Sequence, residues 1–238
     1  MDANVGRILD RLDELGRSAD TLVVFTSDNG FSCGHHGFWG KGNGTFPLNM
    51  YENSVKVPFI VRHPGRVPAG RVTDAMMSQY DFMPTLLDHL GLPAVEDASL
   101  PGESFASVWA GETEDAREDV VVYDEYGPVR MIRTREWKYV HRFPYGPHEL
   151  YHLAGDPDER TNLIAEDGHA DVLAELRRRL HGWFAGYVTP MMDGSRFPVT
   201  GGGHKHQIDP AHPGEEAFYV RDLEGLFHYR TNTPMMQE

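Results

Sequence analysis

Thr21-Leu22-Val23-Val24-Phe25-Thr26-Ser27-Asp28-Asn29-Gly30 decides how this chain is read. Its first half is a β-branched and aromatic run, the composition of a buried strand. The run stops at two adjacent oxygen-bearing side chains and a glycine. Neighbouring side chains of a regular strand point to opposite faces. Asp28 and Asn29 therefore reach one ion only if the backbone turns, and Gly30 permits that turn. Carboxylate and amide oxygens are hard ligands, suited to calcium, magnesium or manganese rather than zinc. The carboxyl end of a strand in an open α/β sheet is also a usual ligand position. Asp-Asn-Gly is equally a favoured turn without any ion, so the tripeptide alone leaves both readings open.

Downstream, Gly34-His35-His36-Gly37-Phe38-Trp39-Gly40-Lys41-Gly42 sets one lysine among glycines, aromatics and histidines. Lys41 could neutralise an anionic group as a point charge and stabilise negative charge developing in a transition state. Taken in isolation it reads as a solvated loop lysine. A histidine here could donate to a leaving oxygen or contact the anion. His36 is the better candidate, because Gly37 follows it and frees the backbone. Adjacent histidines otherwise read as a polar turn. Cys33 shows no sign of activation and is expected to be buried or half-buried.

Outward from these segments, Val5, Ile8, Leu9, Leu12 and Leu15 repeat at helical spacing, with Gly16 as the stop. Val57-Pro58-Phe59-Ile60-Val61-Arg62 reads as a second strand, and residues 30–44 as a glycine-rich loop. Helix, strand, loop and strand in this order predict an α/β sheet with flanking helices. Residues 81–91 form a second amphipathic helix, with Pro84 confined to its first turn. A connection rich in proline and glutamate follows, at about 93–118. The pattern then changes. Runs at 119–124, 129–134 and 137–142 predict a small antiparallel sheet. Val172, Leu173, Leu176, Leu180, Trp183 and Phe184 place a helix over 169–186 against it. Arg177-Arg178-Arg179 is expected on that helix's solvated face. From Thr189 the chain is rich in Gly, Pro, His and Met, and is expected to be an extended tail. His204-Lys205-His206 reads as part of that polar arm. The predicted organisation is 1–115, 116–188 and 189–238.

The chain has 238 residues, enough for a sizeable core. A net charge of −14 argues against a nucleic-acid binder with a general basic surface. It does not exclude an anionic small substrate, because one lysine and one cation can dominate a pocket. A single cysteine rules out an internal disulfide framework and a multi-thiolate zinc site. No apolar run is long enough to cross a bilayer, and the first residues lack signal-peptide character. A cytoplasmic protein with no membrane partner is the expectation.

In this order the segments resemble the C-terminal portion of the sulfatase family, within the alkaline-phosphatase-like superfamily. Residues 26–30 resemble the family's second metal-ligand motif. Residues 34–42 are similar to its Gly-Glu-His-Gly-Leu-Trp-Gly-Lys loop, with His35 in place of the glutamate. Residues 57–65 and 80–87 resemble the strand and helix that follow. Glu149-Leu150-Tyr151-His152-Leu153 and residues 156–163 resemble its C-terminal subdomain. The likeness runs over roughly 3–186.

The resemblance implies a partial alkaline-phosphatase-like α/β sheet followed by a small α+β subdomain. It also implies hydrolysis of small sulfate monoesters. Asp28 and Asn29 would be ligands of a divalent cation, most often Ca2+, with Mg2+ or Mn2+ as alternatives. Lys41 and His36 would be the catalytic candidates. The family's nucleophile is a formylglycine made within Cys/Ser-x-Pro-x-Arg. That motif is absent here: Pro64-Gly65-Arg66 and Pro128-Val129-Arg130 would put Arg62 and Tyr126 at its first position. The upstream aspartate ligands have no counterpart either. The expectation is therefore the C-terminal portion of a longer enzyme, inactive alone, with two of the roughly six to eight ligands that calcium takes. Two other readings remain: a phosphonate or phosphodiester hydrolase of the same superfamily, and a non-catalytic module that binds a partner or forms a homo-oligomer.

Overall fold

The computed structural model describes residues 1–114, 117–124, 127–188 and 193–196. Most of the expected tail, with His204-Lys205-His206, lies outside the described residues.

Helix α1 (Asp2–Glu14) ends where Gly16, at φ +62°, lets the Arg17 N–H return to the Leu12 carbonyl at 2.9 Å. The apolar run then forms β1 (Val23–Thr26). The glycine-rich segment is not all loop. Ser32–Cys33 (β2) and Trp39–Gly40 (β3) pair antiparallel. Two residues per strand are too few to show an alternation in sequence. That pairing also corrects the reading of Cys33. Ser32 turns inward at 0% exposure, so its neighbour Cys33 turns outward and is exposed.

One helical turn, α2 (Glu52–Val55), leads to β4 (Phe59–Arg62), which runs antiparallel to β1. The strand starts after Pro58 rather than at Val57, because proline has no N–H for the ladder. Phe25 faces Ile60 and Val24 faces Val61. Opposed residues share a face, so Val23, Phe25, Ile60 and Arg62 lie on one side. Arg62 approaches Asp13 beside α1 there, at 3.9 Å. On the other side Phe59 meets Phe82 and Trp109, with ring centroids 6.3 and 5.9 Å away. Phe82 opens α3 (Phe82–His89), which has Pro84 in its first turn and stops at Gly91, φ +68°. Trp109 belongs to α4 (Ala106–Ala110), a short helix inside the stretch expected to be only a connection. Five residues carry too little periodicity to announce a helix, yet α4 buries Val108 and Trp109.

The second half is an antiparallel sheet in the order β5 (Asp119–Tyr123), β6 (Val129–Thr134), β7 (Trp137–Arg142), β8 (Glu149–His152). The first three match the predicted strands. Residues 149–152 add a fourth, set by pairing such as Tyr139 with Leu150. Helix α5 (Ala170–Tyr187) covers one face, packing Leu176, Leu180 and Phe184 on Val121, Ile132, Tyr139 and Leu150. The opposite face packs Val129, Met131 and Val140 on Met50, from the segment just before α2. The arginine triplet is not one solvated face. Arg178 pairs with Glu175 at the surface, whereas Arg179 bonds Asp119 and holds α5 to β5. Among the described residues, no helix is long and apolar enough to cross a membrane.

Candidate cation and anion site

The turn after β1 is tied down by hydrogen bonds. The Gln79 side-chain amide donates to the carbonyls of Ser27 and Asp28, at 2.8 and 2.9 Å. Ser27 Oγ donates to the Asn29 carbonyl at 2.9 Å. The Asn29 N–H donates to Asp28 Oδ1 at 2.9 Å. Gly30 is required by close approach. Its N–H donates to the Ser54 carbonyl at 3.0 Å, and a Cβ there would sit 2.1 Å from the Asn53 carbonyl oxygen.

The fold brings Lys41 to this turn. Lys41 Nζ donates to Asn29 Oδ1 at 3.3 Å. Asn29 Nδ2 donates to the Gly30 carbonyl at 2.8 Å, which leaves the amide oxygen as the atom presented to the lysine. Asp28 and Lys41 are exposed, and Asn29 is half-buried.

A residue absent from the sequence candidates holds the two segments together. Asn49 is 3% exposed. Its Nδ2 faces Thr45 Oγ1 at 3.0 Å, the Gly42 carbonyl at 3.2 Å and the Lys41 carbonyl at 3.4 Å. Two N–H groups serve three acceptors, so the longest contact is the weakest. Its Oδ1 accepts from Ser54 Oγ at 2.7 Å, and Ser54 is the residue that receives Gly30. No motif marks Asn49 or Ser54. Only their shared burial reveals them.

His36 lies elsewhere in the site. It adopts φ +55° and stacks on Tyr51, with centroids 3.6 Å apart and planes 4° apart. Burial lowers its pKa from the ordinary histidine value, and His35 lowers it further. Among the described residues, it makes no hydrogen bond to Asp28, Asn29 or Lys41. Asp28, Asn29 and Lys41 thus come together, and His36 is placed by Tyr51.

The segment carrying Asn49, Tyr51 and Ser54 is gripped by the second sheet. Arg142 donates to the Leu48 carbonyl through Nε at 3.1 Å and a terminal nitrogen at 3.0 Å. Lys138, 0% exposed, donates to the Met50 carbonyl at 2.9 Å and pairs with Glu52 at 2.7 Å and Glu159 at 2.6 Å. Arg133 meets Glu52 at 3.3 Å. Two cations thus balance two carboxylates. Burial would raise the Glu52 carboxyl, but Lys138 and Arg133 outweigh it and hold it low. For Glu159 burial wins, and its pKa is raised despite Lys138.

The donor chemistry fits an oxygen-loving cation: one carboxylate and one amide oxygen share a turn. The donor number does not close a shell. Among the described residues, no group of three or more His, Cys, Asp or Glu could hold a metal ion.

A β strand ending in an oxygen-donor turn, flanked by helices and followed by a small antiparallel sheet, defines an alkaline-phosphatase-like α/β chain. Residues 34–184 match the family described as N-sulphoglucosamine sulphohydrolase, C-terminal, and the chain belongs to the sulfatase family. It is 31% identical over 191 residues to the N-acetylglucosamine-6-O-sulfatase of Bacteroides thetaiotaomicron, a match covering 76% of this chain and 33% of that protein. A structure solved in complex with its substrate D-glucosamine-2-N,6-O-disulfate superposes with a TM-score of 0.70 at 30% identity, over 81% of this chain and 40% of that one. The phosphonate monoester hydrolase of Agrobacterium radiobacter superposes at 0.66 and 31% identity, over 79% of this chain and 39% of that one. This chain therefore spans well under half the length of the proteins it matches.

Proposed function

We propose that this chain supplies the cation- and anion-holding side of a sulfate-monoester hydrolase. The observation that carries the reading is the Lys41 Nζ to Asn29 Oδ1 contact of 3.3 Å, which joins the two motifs in one site. In this reading Asp28 and Asn29 hold a divalent cation, calcium first and magnesium or manganese second. Such a cation, when bound, would supply Lewis-acid polarisation of the ester oxygens. Lys41, which contacts Asn29, would bind the sulfate and neutralise charge growing on the leaving oxygen. His36, stacked on Tyr51, is the candidate to contact the anion or donate to the leaving group. Asn49 and Ser54 keep the Lys41 loop and the Asp28 turn in register.

The nucleophile is not in these residues, because Cys/Ser-x-Pro-x-Arg does not occur in the chain. The 238-residue chain by itself is accordingly inactive. Incubating it with an aryl sulfate and calcium tests this directly. No turnover is expected, and metal-dependent release of sulfate by the purified chain would overturn the reading.

The likeness to a phosphonate monoester hydrolase favours a second substrate class, with phosphonate replacing sulfate. Asn29 argues for sulfate, since the phosphonate enzymes commonly carry a histidine there. Comparing sulfate and phosphonate esters on an enzyme containing this chain and a nucleophile segment separates the two.

A further inference from the structure

The chain carries a net charge of −14, yet one corner of it gathers cations. The corner lies where α5 crosses β7 and the turn into β8. Tyr139 and His141 are two residues apart on β7 and share the face that packs on α5. His148, beyond the turn, stacks on His141 with ring centroids 4.3 Å apart, and His181 of α5 meets His141 at 5.3 Å. Arg177 precedes His181 by four residues, which sets the two side chains on one helix face. The other residues three or four positions from Arg177 are Leu173, Ala174 and Leu180, so no helical neighbour neutralises it. Arg178 pairs with Glu175 and Arg179 with Asp119, but among the described residues Arg177 has no carboxylate partner. Arg177 and His181 line the same shallow cavity of about 430 Å³ on α5.

We infer that Arg177, His141, His148 and His181 form a second anion site, one that takes a tetrahedral oxyanion such as sulfate or phosphate. It shares no residue with the Asp28 turn or the Lys41 loop, and it does not rest on the hydrolase reading above.

The chemistry of the cluster selects the ligand. A guanidinium is a planar fork of donors that matches two oxygens of an oxyanion. The histidines are set as donors too. The Arg142 backbone N–H donates to His148 Nδ1 at 3.2 Å, and a neutral imidazole that accepts at Nδ1 carries its proton on Nε2. Tyr139 Oη lies 2.7 Å from His141 Nδ1. With that hydroxyl as donor, His141 likewise carries its proton on Nε2. Neither Nε2 has a hydrogen-bond partner among the described residues. Burial first, and then Arg177, lowers the pKa of both His148 and His181, with Arg142 adding to the first and Arg130 to the second. Arg142 and Arg130 have carboxylates of their own, Glu149 and Asp193. Arg177 is left as the uncompensated charge. It disfavours a cation, and among the described residues these rings do not make a metal-binding group. An anion favours the charged imidazolium, so the site should tighten as pH falls. The bound anion would also tie α5, through Arg177 and His181, to the sheet, through His141 and His148.

The test follows the histidine ring signals of the 238-residue chain by nuclear magnetic resonance. Sodium sulfate, sodium phosphate and sodium chloride are added in separate titrations at constant ionic strength. Sulfate and phosphate should shift His141, His148 and His181 saturably, and chloride should not. Sulfate, whose charge is constant over the range, should bind roughly tenfold tighter at about pH 5.5 than at about pH 7.5. Arg177→Gln should weaken binding by roughly tenfold or more, and His181→Gln by roughly threefold or more. Both residues are exposed, so circular dichroism should find each variant folded. Arg11→Gln, on the exposed surface of α1, should leave binding unchanged. Four results would each overturn the inference: no saturation, an equal response to chloride, undiminished affinity in Arg177→Gln, or shifts confined to His35 and His36. The last would place the anion at the Lys41 loop instead.

Discussion

Lys138 Nζ lies 2.6 Å from Glu159 Oε1, with the lysine wholly excluded from solvent. The same ammonium meets Glu52 and the Met50 carbonyl. One buried charge on β7 thereby fixes the segment that shapes the site near β1. A buried ion pair is a poor source of net stability, because desolvation offsets attraction, but breaking one strands the partner charge.

Lys138→Met is therefore expected to destabilise the protein by about 3–5 kcal/mol, since Glu52 and Glu159 lose their shared cation. Urea unfolding followed by circular dichroism measures it. Adding Glu159→Gln should recover part of the loss, because one buried carboxylate is then neutral. A loss below about 1 kcal/mol would show that the network does not hold the segment.

Asn49→Ala removes a buried amide that serves both halves of the site. The stranded Ser54 hydroxyl and loop carbonyls are expected to cost about 1–3 kcal/mol. Exchange should quicken at Gly44, whose N–H bonds the Lys41 carbonyl at 2.8 Å. Unchanged exchange there would mean that the loop holds itself.

Gly30→Ala places a methyl group 2.1 Å from the Asn53 carbonyl oxygen. Backbone must move on one side or the other, at a cost of about 1–3 kcal/mol. Calcium binding, followed by calorimetry, should weaken in step with the loss of the Gly30 to Ser54 hydrogen bond. Wild-type affinity in a folded variant would detach that bond from the site.

Asp28→Ala should abolish the weak calcium binding expected of the chain, with no loss of fold, because Asp28 is exposed. Calorimetry at high calcium concentration is the readout. Equal binding by wild type and variant would remove Asp28 from the cation site.

Stability should fall with acid through the histidines under α5. His141 on β7 stacks on His148 at 4.3 Å and meets His181 of α5 at 5.3 Å. Tyr139 Oη lies 2.7 Å from its Nδ1, Phe143 packs on its ring, and Arg130 and Arg177 add positive charge. Burial first, then these cations and histidines, push its pKa from 6.5 to about 4. A histidine with a depressed folded pKa is neutral in the folded state while the unfolded chain takes up the proton. Stability is thus fully present above 6.5 and declines towards about 4. The loss is on the order of 3 kcal/mol for this one group. Urea titrations at about pH 7.5 and about pH 4.5 measure the difference, which His141→Gln should shrink. An unchanged slope in that variant would assign the acid sensitivity to other groups.

Much of this molecule is legible in local pattern. The run before Asp28 is a continuous β-branched and aromatic stretch that terminates as a strand does, Pro84 and Gly91 bracket α3, and the spacing from Val172 to Phe184 marks α5. What escaped was short or cooperative. β2, β3 and α4 hold too few residues for a period, and β8 exists through its pairing with β7. Cys33 faces outward only because Ser32 faces in.

The sequence alone supplied the candidates for chemistry, namely the oxygens of Asp28 and Asn29 and the Lys41 ammonium, and it contains no Cys/Ser-x-Pro-x-Arg. These follow from side-chain identity, which folding does not alter. Tertiary structure decided which of them meet. The Lys41 contact to Asn29, the Asn49 and Ser54 brace, and the Lys138 anchor join residues distant in sequence. Partners of that kind are selected by burial and hydrogen-bond satisfaction, which no local pattern encodes. The same structure shows that no residue of α1, β1 or β4 is buried, which the apolar run before Asp28 does not reveal by itself.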